Sequence, residues 1–149
     1  MKTAFITGAA QGIGLAIARR FAREGYQVGL FDTNVERCQA LLSEPDFQNA
    51  VAGYCDVRDS ASIEEAIAIF SQATSGRLDV LVNNAGVFDP PQERSASGYD
   101  TTWAVNVLAP FKLTRLLLPL LASLSPSQIL YSNPLVSANP KTKFMTWIA

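Results

Sequence analysis

Residues 7–14 read TGAAQGIG, between a short β-compatible run, TAFIT at 3–7, and a helical pattern that opens at Ile13. Glycines fall at Gly8, Gly12 and Gly14. A glycine cluster by itself marks only a tight turn. Where a strand ends and a helix begins it gains a second property. The first amides of the helix have no partner within it, the helix dipole is positive there, and the absent side chains let an anion approach the backbone. The stretch predicts a strand–turn–helix unit whose turn receives a pyrophosphate.

The pattern on either side repeats that unit. Ile13, Ile17 and Phe21 recur every four residues, with Ala16 on the same face, and Gly25 is a natural helix stop. VGLFD at 28–32 is the next strand, followed by a helix over about 34–42, and VAGYCDV at 51–57 contains the third strand. Ser62 with Glu65 forms a capping-box pattern, and Ile63, Ala66, Ile67 and Phe70 give a core-facing stripe that ends by Gly76. The run at 80–82 is wholly apolar, as suits a strand buried on both faces. A longer helix is expected over roughly 99–121, bent near Pro110, and a fifth strand over 128–131. Strands alternating with helices imply right-handed crossovers and a parallel sheet covered on both faces.

Asp32 closes the second strand, 24 residues after Gly8. A carboxylate there accepts hydrogen bonds from both ribose hydroxyls of an adenosine and repels a 2′-phosphate, which favours NAD over NADP. Neither residue after it in DTN is basic.

Composition narrows the remaining classes. The 149 residues carry twelve basic and thirteen acidic side chains, so no basic stripe for nucleic acid is expected. Histidine is absent, which removes His-based acid–base work, Ser–His triads and most zinc sites; no metal is expected. Cys38 and Cys55 are too far apart for a C-x-x-C motif and read as reduced thiols in a core. The opening apolar stretch is interrupted by Gln11 and glycines, and LLLPLLA at 116–122 is too short to span a bilayer. These features lead to an expectation of a cytoplasmic protein with no membrane partner.

TGAAQGIG, with its Gly-x-x-x-Gly-x-Gly spacing, resembles the cofactor turn of the short-chain dehydrogenase/reductase family. Three further segments resemble that family in the same order: CDV at 55–57, NNAG at 83–86 and WAVNVLAPF at 103–111. The resemblance implies an α/β fold, a Rossmann-like doubly wound parallel sheet, and an NAD(H)-dependent oxidoreductase acting on a small-molecule alcohol or carbonyl. It implies that Gly8, Gln11, Gly12, Ile13 and Gly14 surround the pyrophosphate, that Asp32 holds the adenosine ribose, and that Asp56 and Val57 meet the adenine. Asn83, Ala85 and Gly86 are implied to line the cofactor, and NNAG also reads as turn structure alone. Asn106 matches the family's catalytic Asn; it either binds a water of the proton relay or ties a bent helix as a buried polar residue. The helix from Tyr99 is implied to pair with a second copy in a homo-oligomer.

One part of the family pattern is missing. The proton donor is a Tyr, with a Lys four residues later that lowers its pKa, and no Tyr-x-x-x-Lys occurs in this sequence. Ser132 stands near the family's substrate-orienting Ser, but the SNPLV around it lacks the usual small polar residues. Lys141 and Lys143 have no tyrosine partner and read as solvated charges, while FDPPQ at 88–92 reads as a loop bordering the site. Beyond residue 130 the hydrophobic period and turn punctuation fade together. The expectation is an incomplete dinucleotide-binding domain over 1–130, of about five strands and truncated or shifted in frame before the Tyr–Lys pair. A tail without clear fold follows over 131–149. The alternative is a non-catalytic NAD-binding fragment.

Overall fold

The computed structural model describes residues 1–87, 94, 95, 97–122, 126–132, 147 and 148. The loop at 88–92, Lys141 and Lys143 lie outside the described residues. Five strands, β1 (Thr3–Thr7), β2 (Gln27–Asp32), β3 (Val51–Tyr54), β4 (Val80–Asn83) and β5 (Gln128–Tyr131), are parallel and lie in the order β3-β2-β1-β4-β5. A two-residue strand, β6 (Trp147–Ile148), adds antiparallel to β5.

Alternation along the strands sorts the core into two layers. Phe5, Phe31 and Leu81 point to one face, where they meet Ile63, Ala66 and Phe70 of α3 (Ser60–Thr74) and Leu113, Leu117 and Leu121 of α5 (Ala109–Ala122). Ala4, Ile6, Val28, Leu30, Val80 and Val82 point to the other, against Ala18 of α1 (Gly12–Arg23) and Cys38 and Leu41 of α2 (Val35–Leu41). A strand buried on both faces must be apolar throughout, which accounts for runs such as TAFIT and VLV. Phe5 stacks on Phe31 with centroids 4.2 Å apart and meets Phe70 edge-on at 5.2 Å. The sheet is Rossmann-like and doubly wound.

Two local expectations need correction and a third gains detail. On α1, Ile17 and Phe21 pack against the core beside the buried Gly14 and Ala18, as expected, whereas Ile13 is 58% exposed and Ala16 is exposed as well. A helix that must come this close to the strands presents its smallest residues, which turns Ile13 outward. The cap of α3 is Asp59, whose carboxylate accepts from Ala61 N, and not Ser62. Ser62 lies inside the first turns, 6% exposed, and its Oγ accepts from Asp56 N at 2.8 Å. The long helix starts with a short turn, α4 (Thr101–Trp103), and passes through a π-helical segment at Ala104–Leu108 before α5. The irregular segment lies next to Pro110, which has no N–H to offer the carbonyl of Asn106 four residues earlier.

At the opposite end from the glycine turn, Asp79 anchors the sheet. Its carboxylate accepts from Thr3 N at 2.8 Å and from both arms of Arg77 at 2.7 and 2.8 Å. Burial opposes its charge, but the Arg77 and Thr3 hydrogen bonds outweigh that effect and hold the carboxyl below the ordinary range.

Candidate functional site

Strand order reverses between β1 and β4, and in open α/β sheets the crevice outside the carboxyl ends of the strands at such a point is where ligands bind. A crevice of about 580 Å³ opens there. Its walls include Gly8, Gln11, Gly12 and Ile13 from the turn after β1, Asp32 and Thr33 after β2, and Asp56, Val57 and Arg58 after β3. Asn84, Ala85, Gly86 and Val87 follow β4, Thr101 and Val105 come from the long helix, and Ser132 follows β5. A smaller cleft of about 340 Å³, between Met1, the end of α1 and Pro45, includes the turn at Gly25 but no strand-to-helix turn and no carboxyl end of a strand.

The turn owes its shape to two glycines and one asparagine. Gly8 adopts φ 66°, a conformation that other residues take only with strain, and a Cβ on Gly14 would collide with the carbonyl oxygen of Gly8. Asn84 Nδ2 donates to the carbonyls of Thr7 and Gly8, both at 3.0 Å. Thr7 Oγ1 answers by accepting from Asn84 N and Ala85 N, both at 3.1 Å. Ser132 Oγ donates to Asn84 Oδ1 at 2.7 Å, which links the end of β5 to the turn through one side chain. Thr7 and Asn84 are thus site-building residues that sequence reasoning did not single out. The parity of β4 carried the signal: Asn84 shares the side of Val82 and Val80, the side on which α1 opens.

Asp32 faces the crevice from β2. Its Oδ2 accepts from Ala10 N at 3.1 Å, and its Oδ1 from Asn34 N at 3.0 Å, so the carboxylate is fixed against the glycine turn. Asp56 lies in the same wall, gripped by Arg58: Nε donates to Oδ1 at 2.9 Å and a terminal nitrogen to Oδ2 at 2.7 Å. Arg58 N adds a third bond to Oδ1 at 2.9 Å. These contacts hold the Asp56 carboxyl below the ordinary carboxylate range against the opposing effect of partial burial. Burial, followed by the charges of Asp56 and Asp32, pushes the neighbouring Cys55 thiol up to about 12, which makes it inert as a nucleophile at neutral pH.

The remaining expected residues stand behind the wall. Gly14 is buried under the turn. Asn83 is 2% exposed, and neither its Oδ1 nor its Nδ2 has a hydrogen-bond partner among the described residues. Asn106 sits in the π-helical segment, where its Oδ1 accepts from Val87 N at 3.0 Å and its Nδ2 donates to Val87 O at 2.7 Å. Its side chain pins the chain after β4 to the long helix.

The crevice fits a dinucleotide on two observations. The helices that open at Val35, Ser60 and Thr101 are each capped by a side chain, from Asn34, Asp59 and Asp100. Helix α1 has no side-chain cap and no acidic residue in its first turn, and it opens on the crevice. A Cβ built on Gly12 would meet nothing within 4 Å among the described residues, which leave the space over the turn clear.

Comparison with known proteins agrees with this architecture. The family model for short chain dehydrogenase matches residues 2–143. D-threitol dehydrogenase of Mycolicibacterium smegmatis is 40% identical over 114 residues, covering 74% of this chain and 44% of that protein. The structure of an alcohol dehydrogenase from the archaeon Thermococcus sibiricus, complexed with 5-hydroxy-NADP, superimposes with a TM-score of 0.69 at 33% identity. It is covered over 54% of its length, and 83% of this chain is matched. A 3-ketoacyl-(acyl-carrier-protein) reductase from Brucella melitensis, complexed with NADH, gives a TM-score of 0.73 at 29% identity, with 87% of this chain and 56% of that one matched. The chain therefore spans about half the length of the relatives it matches. With the ordered motifs and the crevice they build, these matches establish that the chain belongs to the short chain dehydrogenase family.

Proposed function

We propose that this chain binds NAD(H) in the crevice and belongs by lineage to oxidoreductases of small alcohols or carbonyls. The observation that carries this reading is the uncapped start of α1 facing open space beside the fixed carboxylate of Asp32. The amides near Gly12, Ile13 and Gly14 receive the pyrophosphate, with Gly8 and Gln11 bordering it. Asp32 takes the adenosine ribose hydroxyls and disfavours a 2′-phosphate. Asp56 and Val57 meet the adenine, and Ala85 and Gly86 flank the nicotinamide half. Asn83 acts from beneath as part of the strand end. A nicotinamide bound there supplies the hydride donor or acceptor.

The chain's own residues supply less than the full reaction. Reduction of a carbonyl needs a proton for the developing alkoxide. Ser132 borders the crevice and can orient a substrate oxygen, and Asn106 fixes the loop beside it for a proton relay. The 149 residues contain no Tyr-x-x-x-Lys. The reading is thus a dinucleotide-binding unit that, taken alone, turns over little or nothing. Calorimetric titration with NAD and NADP tests binding, and absorbance of NADH formed from a panel of secondary alcohols tests turnover. Tight NAD binding without turnover is expected. Absence of binding by folded protein overturns the reading, and robust turnover overturns its second half.

The same reading places the chain in the cytoplasm as an oligomer. Thr101–Leu121 is long and apolar enough to cross a membrane by length and composition, yet Val105, Ala109, Leu113, Leu117 and Leu121 are buried against the sheet. Its opposite side exposes Trp103, Val107, Phe111 and Leu118, a stripe suited to the same helix of a second copy.

A further inference from the structure

We infer that Arg58 is a positioning residue for base recognition, through which Asp56 distinguishes an adenine from a 6-oxopurine. This rests on the reading that the crevice takes a dinucleotide. Arg58 fills three of the acceptor sites of the Asp56 carboxylate: Nε and the backbone N–H on Oδ1, and the terminal nitrogen on Oδ2. An ionised carboxylate offers about four such sites. The one left over belongs to Oδ2, which also has a longer contact to Nε at 3.2 Å. A single directed acceptor matches the exocyclic amino group of adenine, which donates, and opposes the 6-oxo group of hypoxanthine, which accepts.

Two further observations set the orientation. The backbone of Asp56 is fixed by its own N–H donating to Ser62 Oγ at 2.8 Å and its carbonyl accepting from Asp59 N at 3.0 Å. With the main chain held, the direction of the carboxylate depends on the fork that grips it. Among the described residues that line this wall, Arg58 is the cation that offsets Asp32 and Asp56, and the ligand expected here is an anion. Without Arg58 the carboxylate would lose the fork that fixes its plane, and its acceptors would no longer be aimed at one point on the base. A carboxylate free to turn separates adenine from hypoxanthine less sharply than one held in a single direction.

The test is calorimetric binding of NAD and of its hypoxanthine analogue to the wild-type chain, Arg58→Gln, Asp56→Asn and the double variant. The preference for NAD over the analogue is expected to fall about tenfold in each single variant, with no further fall in the double. The preference for NAD over NADP is expected not to fall in Arg58→Gln, because removing a cation leaves Asp32 in place to repel the 2′-phosphate. An intact adenine preference in Arg58→Gln would overturn the inference. So would losses that add in the double variant, or a parallel loss of NADP discrimination, which would mark a general disturbance of the crevice. Failure of the wild-type chain to bind any dinucleotide would strike the function proposed above, and is read separately from these ratios.

Discussion

At the scale of single residues, the site is built more from what is missing than from what is present. Gly14 has no side chain because the carbonyl of Gly8 occupies the space a Cβ would need. Gly14→Ala is expected to push the turn away from β4, destabilising the fold by about 1–3 kcal/mol and weakening NAD more than tenfold. Thermal unfolding and calorimetry measure the two effects, and a stable variant of unchanged affinity would contradict the packing argument. Asp32 supports a different prediction, because it both binds the turn through Ala10 N and faces the ribose subsite. Asp32→Ala is expected to weaken NAD about tenfold while leaving NADP nearly unaffected, since the repelling charge goes with the hydrogen bonds. An equal loss for both cofactors would reduce Asp32 to a support for the turn. The glycines and Asp32 were legible in the sequence because each chemistry needs one residue type at one place. The division of labour between Asn83 and Asn84 was not legible. NNAG names both, and only the strand's parity decides which amide reaches Thr7 and Gly8.

At the scale of elements, strands were more legible than caps and bends. A strand buried on both faces must be apolar along its length, so β4 could be read directly. The start of α3 could not, because Ser62 and Asp59 are both good capping residues and the choice depends on where β3 releases the chain. The π-helical segment was foreseen only as a bend near Pro110, since the sequence does not show that Asn106 is held by Val87. The anchor between β1 and β4 gives the element-scale prediction. Asp79 binds Thr3 N and the Arg77 fork in a site where its side chain is 7% exposed. Asp79→Asn keeps the shape but removes the charge, and is expected to cost about 1–3 kcal/mol at neutral pH. The folded carboxyl titrates below its unfolded value of about 3.9. Its contribution is therefore complete above that unfolded value and disappears as pH falls through the folded one. In urea unfolding, the gap between wild type and Asp79→Asn should close as pH drops below about 4. A gap that stays constant into acid would mean that shape, and not charge, joins these strands.

At the scale of the molecule, the alternation of strands and helices implied a parallel sheet, but neither its order β3-β2-β1-β4-β5 nor β6 was readable from it. Two residues carry no period, and their pairing with β5 is a property of the assembled sheet. The exposed side of the long helix is legible only once its buried side is known. Trp103 is 51% exposed, Phe111 67% and Leu118 47%, although Val105, Leu113 and Leu117 on the same helix are buried. Isolated exposed apolar residues need no explanation, but large ones gathered along one helix face form a patch that water covers at a cost. Self-association through that face would remove the patch, and Phe111, the most exposed of these three, is the natural place to break it. Phe111→Glu would set like charges against each other across a twofold contact and expose a carboxylate to burial. Sedimentation at micromolar concentration is expected to show a dimer or larger assembly for the wild-type chain. The variant should shift at least tenfold toward monomer with NAD affinity retained, because Phe111 does not line the crevice. A wild-type monomer would refute the docking face, and a variant that lost NAD together with association would place the helix in the binding unit itself.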